Sequence, residues 1–155
     1  MLYTGDADGL VACWNLDKII KEKRFPEYYY VDHMSSIVSI DSNYSLDLHI
    51  TATSEECGVR VSSTNRFYKK ILPQLKYSAA QHKIHAVLLS ERGYIVLHLK
   101  NVYTHCDSDI FTVYSINGEF IVYKTMDESI NAVLFDRTQY FIVFFCLNID
   151  YWWNQ

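Results

Sequence analysis

Apolar and polar positions along this chain fall into short runs that alternate with compact polar clusters. The start sets the pattern. Leu2-Tyr3-Thr4-Gly5 and Leu10-Val11-Ala12-Cys13-Trp14 flank Asp6-Ala7-Asp8-Gly9, which reads as strand, tight turn, strand. Asp8-Gly9 suits a turn that needs positive φ, where Gly costs nothing and Asp is tolerated. A polar stretch from Asp17 to Glu27 follows, without a capping pattern or an apolar stripe, and is expected to be a long loop. Tyr28 to Val31, Ile37 to Ile40, His49 to Thr53, Val59 to Ser62 and Phe67 to Leu72 then have the β-branched and aromatic composition of strands. Asp41 to Ser45 and Ser54 to Gly58 are the intervening turn clusters. Pro73 to Lys83 is the least strand-like part. Beyond it come His85 to Leu89, Tyr94 to Leu99, Ile110 to Ser115, Phe120 to Tyr123, Asn131 to Phe135, Tyr140 to Leu147 and Asp150 to Trp153. Asn117-Gly118 between two of these is a strong hairpin signal.

Strands separated by turns every ~8–12 residues imply a sandwich, a barrel or a propeller. A period chooses among them. Aligning the ends of corresponding strands puts Trp14, Ser63, Ser115 and Trp153 in register, at intervals near the ~40–50 residues of a propeller blade. The expected units are 1–33, 34–83, 84–128 and 129–155 of one partial propeller.

Composition narrows the function. The chain has 155 residues, half of them hydrophobic and 15% aromatic, with a formal net charge of −4. That is enough for one domain with a real core. An acidic balance gives no field for a phosphate backbone, so no nucleic acid is expected as a partner. Lys18, Lys21, Lys23 and Arg24 cluster, but Asp17, Glu22 and Glu27 stand among them, as on a solvated loop. No apolar run reaches the ~18–20 residues of a membrane span, and the N-terminus lacks the order of a signal peptide. Cytoplasmic localisation is expected, with Cys13, Cys57, Cys106 and Cys146 as reduced thiols.

Candidate chemistry is sparse. His82 and His85 lack a third ligand at metal-site spacing, and His105-Cys106 with Asp107 and Asp109 reads as a polar surface loop. Glu55 and Glu56 are adjacent, so their side chains diverge and cannot flank a scissile bond. No nucleophile elbow, phosphate loop or metalloprotease motif occurs. No catalytic residue, metal or cofactor is assigned, and the chain is read as a non-enzyme. The aromatic triplets are more informative. Tyr28-Tyr29-Tyr30 and Tyr151-Trp152-Trp153 cannot all face one core, because alternate side chains of a strand face opposite sides. Tyr28, Tyr30, Trp152 and Trp153 are therefore candidate interface aromatics, with packing between neighbouring sheets as the competing reading.

The opening hairpin resembles a WD repeat. In that family a Ser or Thr on one strand, an Asp in the turn and a Trp on the next strand form a hydrogen-bond network, completed by a His from the preceding loop. Thr4, Asp8 and Trp14 match three of these roles, and the positions that would carry the His precede Met1. In the second unit the corresponding positions are Thr53, Cys57 and Ser63, so no such network is expected there. From Met34 onward, Leu46-Asp47-Leu48, Leu89 to Val96, Phe111 to Glu119 and Ser129 to Leu134 resemble the C-terminal propeller of BEACH-domain proteins of the neurobeachin kind. Tyr114-Ser115-Ile116-Asn117-Gly118 carries most of that likeness. The resemblance implies an all-β fold: a partial WD-repeat β-propeller of about three to four four-stranded antiparallel blades. It further implies a non-catalytic scaffold for protein or peptide partners in membrane trafficking, touching membranes only through a parent protein. The alternative is an adaptor or substrate-recognition propeller of a ubiquitin ligase or signalling complex. Because propellers have ~4–8 blades, the chain is expected to be a piece or half of a ring. Its open strand edges make self-association an expected hazard.

Overall fold

The computed structural model describes residues 1–22, 25–55, 58–63, 68–71, 81–103, 109–127, 129–135 and 142–146. Among these residues, thirteen strands and one short helix run in chain order through four antiparallel sheets. Sheet 1 holds β1 (Leu2–Gly5), β2 (Leu10–Trp14) and β3 (Tyr28–Val31). Sheet 2 holds β4 (Ile37–Asn43), β5 (Leu48–Thr53), β6 (Val59–Ser63) and β7 (Tyr68–Ile71). Sheet 3 holds β8 (His82–Leu89), β9 (Tyr94–Asn101), β10 (Asp109–Ser115) and β11 (Phe120–Met126). Sheet 4 pairs β12 (Ile130–Phe135) with β13 (Ile142–Cys146). Within each sheet every strand pairs with its sequence neighbour. The fold is all-β, and none of the sheets closes on itself. Two sheets have four strands. Among the described residues the first has three and the last two.

The turns follow from local chemistry. Gly9, Gly93 and Gly118 all take positive φ, at 79°, 79° and 82°. Gly118 closes the β10–β11 hairpin, where its N–H donates to the Ser115 carbonyl at 2.8 Å. Gly9 is required twice over, because a Cβ there would also lie 2.1 Å from the His33 carbonyl oxygen. That carbonyl belongs to the connection into sheet 2.

Two local expectations are corrected. The segment read as a loop contains helix α1 (Leu16–Glu22). Asn15 is its cap: the side-chain Oδ1 accepts the backbone N–H groups of Asp17 and Lys18 at 3.0 and 3.3 Å. Lys18 then bridges to Glu27 at 2.6 Å. The turn placed at Asp41 to Ser45 starts later, since β4 runs through Asn43 and the chain reverses at Tyr44 to Asp47. Asp47 carries the positive φ of 52° that the reversal needs. Polar residues occupy the end of β4 because they serve the neighbouring sheet, as described below.

The sheets pack face to face in chain order. One apolar core joins sheets 2 and 3: Ile50, Ala52, Val59 and Val61 meet Ile84, Val87, Ile95, Leu97, Leu99, Ile110 and Tyr114. A second joins sheets 3 and 4 through Val96, Phe111 and Ile130, with Val133 and Phe135 against them. Alternate residues of β9 therefore serve two different cores, which is why the strand reads as a continuous apolar run. The first strands also adjoin, β4 against β8 and β8 against β12, while β1 lies beside β4.

Candidate functional site

Polar groups concentrate between the sheets, and they form a repeated device. A hydrogen-bond acceptor of one sheet takes a backbone N–H from the first strand of the next. Between sheets 1 and 2 the Asp6 carbonyl accepts from Ile37 at 3.0 Å. Between sheets 2 and 3, Ser39 Oγ accepts from Val87 at 3.0 Å, and Asp41 Oδ2 accepts from Leu89 at 2.8 Å. Between sheets 3 and 4, Asp109 Oδ2 accepts from Ile130 at 2.7 Å. These N–H groups would otherwise be left unpaired between packed sheets, at a cost of about 1–3 kcal/mol each. Burial raises the Asp41 carboxyl above its ordinary value, and the backbone donors of Leu89 and Ser42 offset part of that.

Two histidine–carboxylate clusters lie in the same junctions. Between sheets 3 and 4, His98 Nε2 donates to Asp109 Oδ2 at 2.7 Å. The imidazole stacks on Phe111 at 4.6 Å and meets the edge of His85 at 5.1 Å. Burial lowers the His98 pKa more than Asp109 raises it, so the neutral ring with its proton on Nε2 is favoured. Between sheets 1 and 2, Asp32 and His33 leave β3 buried and reach Thr51 on β5. The Thr51 hydroxyl donates to Asp32 through a short contact, and His33 Nε2 lies 2.9 Å from Thr51 Oγ1. Arg60, directly across from Thr51 in the β5–β6 ladder, places Nη1 3.7 Å from Asp32 Oδ1. Tyr30 OH bonds His49 Nε2, and Tyr3 stacks on the same imidazole at 4.3 Å. Burial pushes the Tyr30 phenol up and His49 down, so both stay neutral.

The chemistry of the Asp32–His33–Thr51 cluster is that of a strut. In a hydrolytic relay the imidazole stands between hydroxyl and carboxylate and takes the hydroxyl proton. Here the hydroxyl stands in the middle, its proton goes to the carboxylate, and it accepts from the imidazole. Thr51 is fully buried, so neither lone pair can reach a substrate.

The sequence-assigned residues separate. Trp14 Nε1 donates to Thr4 Oγ1 at 2.9 Å, so those two meet across β1 and β2 at the surface. The carboxylate that organises the turn beside them belongs to Asp6: its Oδ1 accepts the backbone N–H groups of Asp8 and Leu10, each at 2.9 Å. Asp8 is exposed in the turn. Tyr28 and Tyr30 point into the junction with sheet 2, where they pack 6.3 Å apart, and Tyr29 between them is the open one. Trp152 and Trp153 lie outside the described residues, as do Cys57 and the His105-Cys106-Asp107 stretch. The second unit was expected to have no network at Thr53, Cys57 and Ser63. The structure builds one two residues earlier, at Thr51, with Asp32 and His33 supplied by the connection ahead of β4. Asp32-His33 directly after a strand was the available signal.

A cavity of about 350 Å³ opens where the ends of β4, β8 and β12 converge, lined by Asp41, Asn43, Tyr44, Leu89, Glu91 and Phe135 among others. Asp41 in its wall is committed to Leu89 and Ser42. Among the described residues no group of three or more His, Cys, Asp or Glu side chains is placed to hold a metal ion, and no helix is long and apolar enough to cross a membrane. A scan against protein-family models matches no family, and a search of curated proteins finds no match.

Proposed function

We propose that this chain is a segment of a WD-type β-propeller that acts as a non-catalytic scaffold for protein or peptide partners. The observation that carries the reading is the serial stacking of four sheets, each an antiparallel meander, with the first strands of successive sheets adjoining. In a propeller the first strands of the blades line the centre, and each sheet is sandwiched by its neighbours. The buried histidine–carboxylate clusters support it, because their donors and acceptors are spent on holding sheets together. The Thr4–Trp14 bond and the Asp32–His33–Thr51 cluster are compatible with divergent forms of the WD-repeat network.

The BEACH-type assignment, with its role in cytoplasmic membrane trafficking, rests on the resemblance of residues from Met34 onward, above all Tyr114 to Gly118. Genomic sequence on both sides of the reading frame tests it. A BEACH domain encoded directly upstream is the expected result. A ubiquitin-ligase or signalling domain there would favour the adaptor reading, and flanks without further repeats would remove the trafficking proposal.

A further inference from the structure

The two edges of sheet 3 are treated differently. At one edge, β8 is sealed by sheet 2: the outward N–H groups of Val87 and Leu89 go to Ser39 and Asp41. At the other edge, β11 pairs only with β10 among the described residues. Every residue from Phe120 to Thr125 is exposed. Phe120 is 37% exposed, Ile121 48%, Val122 52% and Tyr123 38%. These four apolar residues stand in a row and serve both faces of the strand. Phe120 and Tyr123 lie opposite Tyr114 and Thr112, on the side of sheet 2, and Val122 and Lys124 lie opposite Val113 and Phe111, on the side of sheet 4. Lys124 is the one charged side chain in the strand. The bulge sits at the hairpin end, between the Val113 and Tyr114 pairs, so Val122 to Met126 keep regular register. Ser115 accepts from the Gly118 N–H and donates to the Glu119 carbonyl, both at 2.8 Å. The direction of backbone bonds alternates along a strand, so Val113 and Phe111 also face β11, and their partners Val122 and Lys124 face back to them. Tyr123 and Thr125 therefore turn their N–H and C=O groups outward, away from β10.

We propose that β11 is a docking edge for a second copy of this chain. The two β11 strands pair antiparallel about a two-fold axis at Tyr123, and two four-stranded sheets become one continuous sheet. A strand edge is recognised by another strand through its backbone row, with side-chain contacts supplying the specificity. The occupant here must be apolar on both faces, and β11 meets that need itself. The pairing sets Val122 opposite the partner's Lys124, Ile121 opposite the partner's Thr125 and Phe120 opposite the partner's Met126. No like charges meet within the paired strands, which favours a second copy. The aliphatic stem of Lys124 covers the partner's Val122 while its ammonium stays in water. A two-fold contact of this kind uses the same patch on both copies and closes at two. It needs only sheet 3, so it goes beyond the propeller reading and does not rest on it.

Sedimentation velocity of the full chain across a concentration series tests this. The expected species is a dimer of the 18.2 kDa chain. Val122→Lys sets a lysine against the partner's Lys124 twice in the contact, and is expected to weaken the dimer at least tenfold with unchanged circular dichroism. An equimolar mixture with Lys124→Glu is expected to recover a dimer, because lysine then faces glutamate. Thiol variants read the register independently and decide the matter even if Val122→Lys fails to fold. Residues opposed on the axis have Cα atoms about 5.5 Å apart, within disulfide reach, so mild oxidation of Tyr123→Cys is expected to link the two introduced thiols. Thr125→Cys lies about 14 Å from its counterpart along the strands and is expected not to link. Peptide mapping separates these links from any made by the native cysteines. A folded monomer at every concentration overturns the proposal, as does an open-ended polymer. A dimer indifferent to Val122→Lys overturns it in favour of another surface. A dimer in which Thr125→Cys links and Tyr123→Cys does not overturns it in favour of another register.

Discussion

Sheet 3 and sheet 1 are built from similar strands, yet one is covered on both faces and the other on only one. β9 in sheet 3 sends Ile95, Leu97 and Leu99 into the core with sheet 2, and Val96 and His98 toward sheet 4. β3 in sheet 1 sends Tyr28 and Tyr30 toward sheet 2 and leaves Tyr29 and Val31 to solvent. The residue types are alike, so what separates a core from a surface here is whether another sheet packs against that face. A chain organised this way has stability concentrated in its middle sheets.

The comparison can be broken most forcefully in the middle. Leu97→Ala removes a fully buried side chain from the core between sheets 2 and 3, and a loss of about 3 kcal/mol is expected in denaturant unfolding. Asp109→Ala comes next, at about 2 kcal/mol, because it leaves both the Ile130 N–H and the His98 Nε2–H without their acceptor. Asp109→Asn keeps a side-chain oxygen and is expected to cost less. If the two variants are equal, the carboxylate is not the strut between sheets 3 and 4.

Acid sharpens the same contrast. Burial lowers the pKa of His49, His82, His85 and His98 from the ordinary 6.5. These rings stay neutral in the fold while those of the unfolded chain take up protons below 6.5, so the unfolded state binds more protons and stability falls with pH. The decline is expected to start near pH 6.5 and to continue through the lowered values, read as a drop in Tm. Asp41, with its carboxyl raised by burial, works the other way in the carboxylate range. The smallest effect belongs to the open face. Tyr29→Ser is expected to change monomer stability by no more than about 0.5 kcal/mol, measured at a concentration too low for association. A cost near that of Leu97→Ala would mean that the Tyr29 face of sheet 1 is covered within one chain.

Much of the fold was legible because strand signals here are local. The period-2 runs and the turn clusters between them located nearly every described strand, and Asn117-Gly118 located the β10–β11 hairpin. The helix was missed because its cap, Asn15, lies just ahead of the segment that shows no capping pattern of its own. The candidate site was less legible. Thr4 and Trp14 do meet, but Asp6, not Asp8, organises the turn. Tyr28 and Tyr30 face inward because strand parity alone does not say which side meets the next sheet. Asp32, His33, Thr51 and Arg60 are far apart in sequence, and no local pattern joins them.

The sequence by itself determined the all-β class, the positions of the turns and the serial order of the sheets, since these depend on backbone sterics and on contacts between neighbouring strands. Only the tertiary structure decided which face of each sheet is buried and which polar side chains are spent as struts. It alone left the Tyr29 face of sheet 1 exposed. Those outcomes depend on what packs against a sheet, and in this chain the packing surface always belongs to residues of a different sheet.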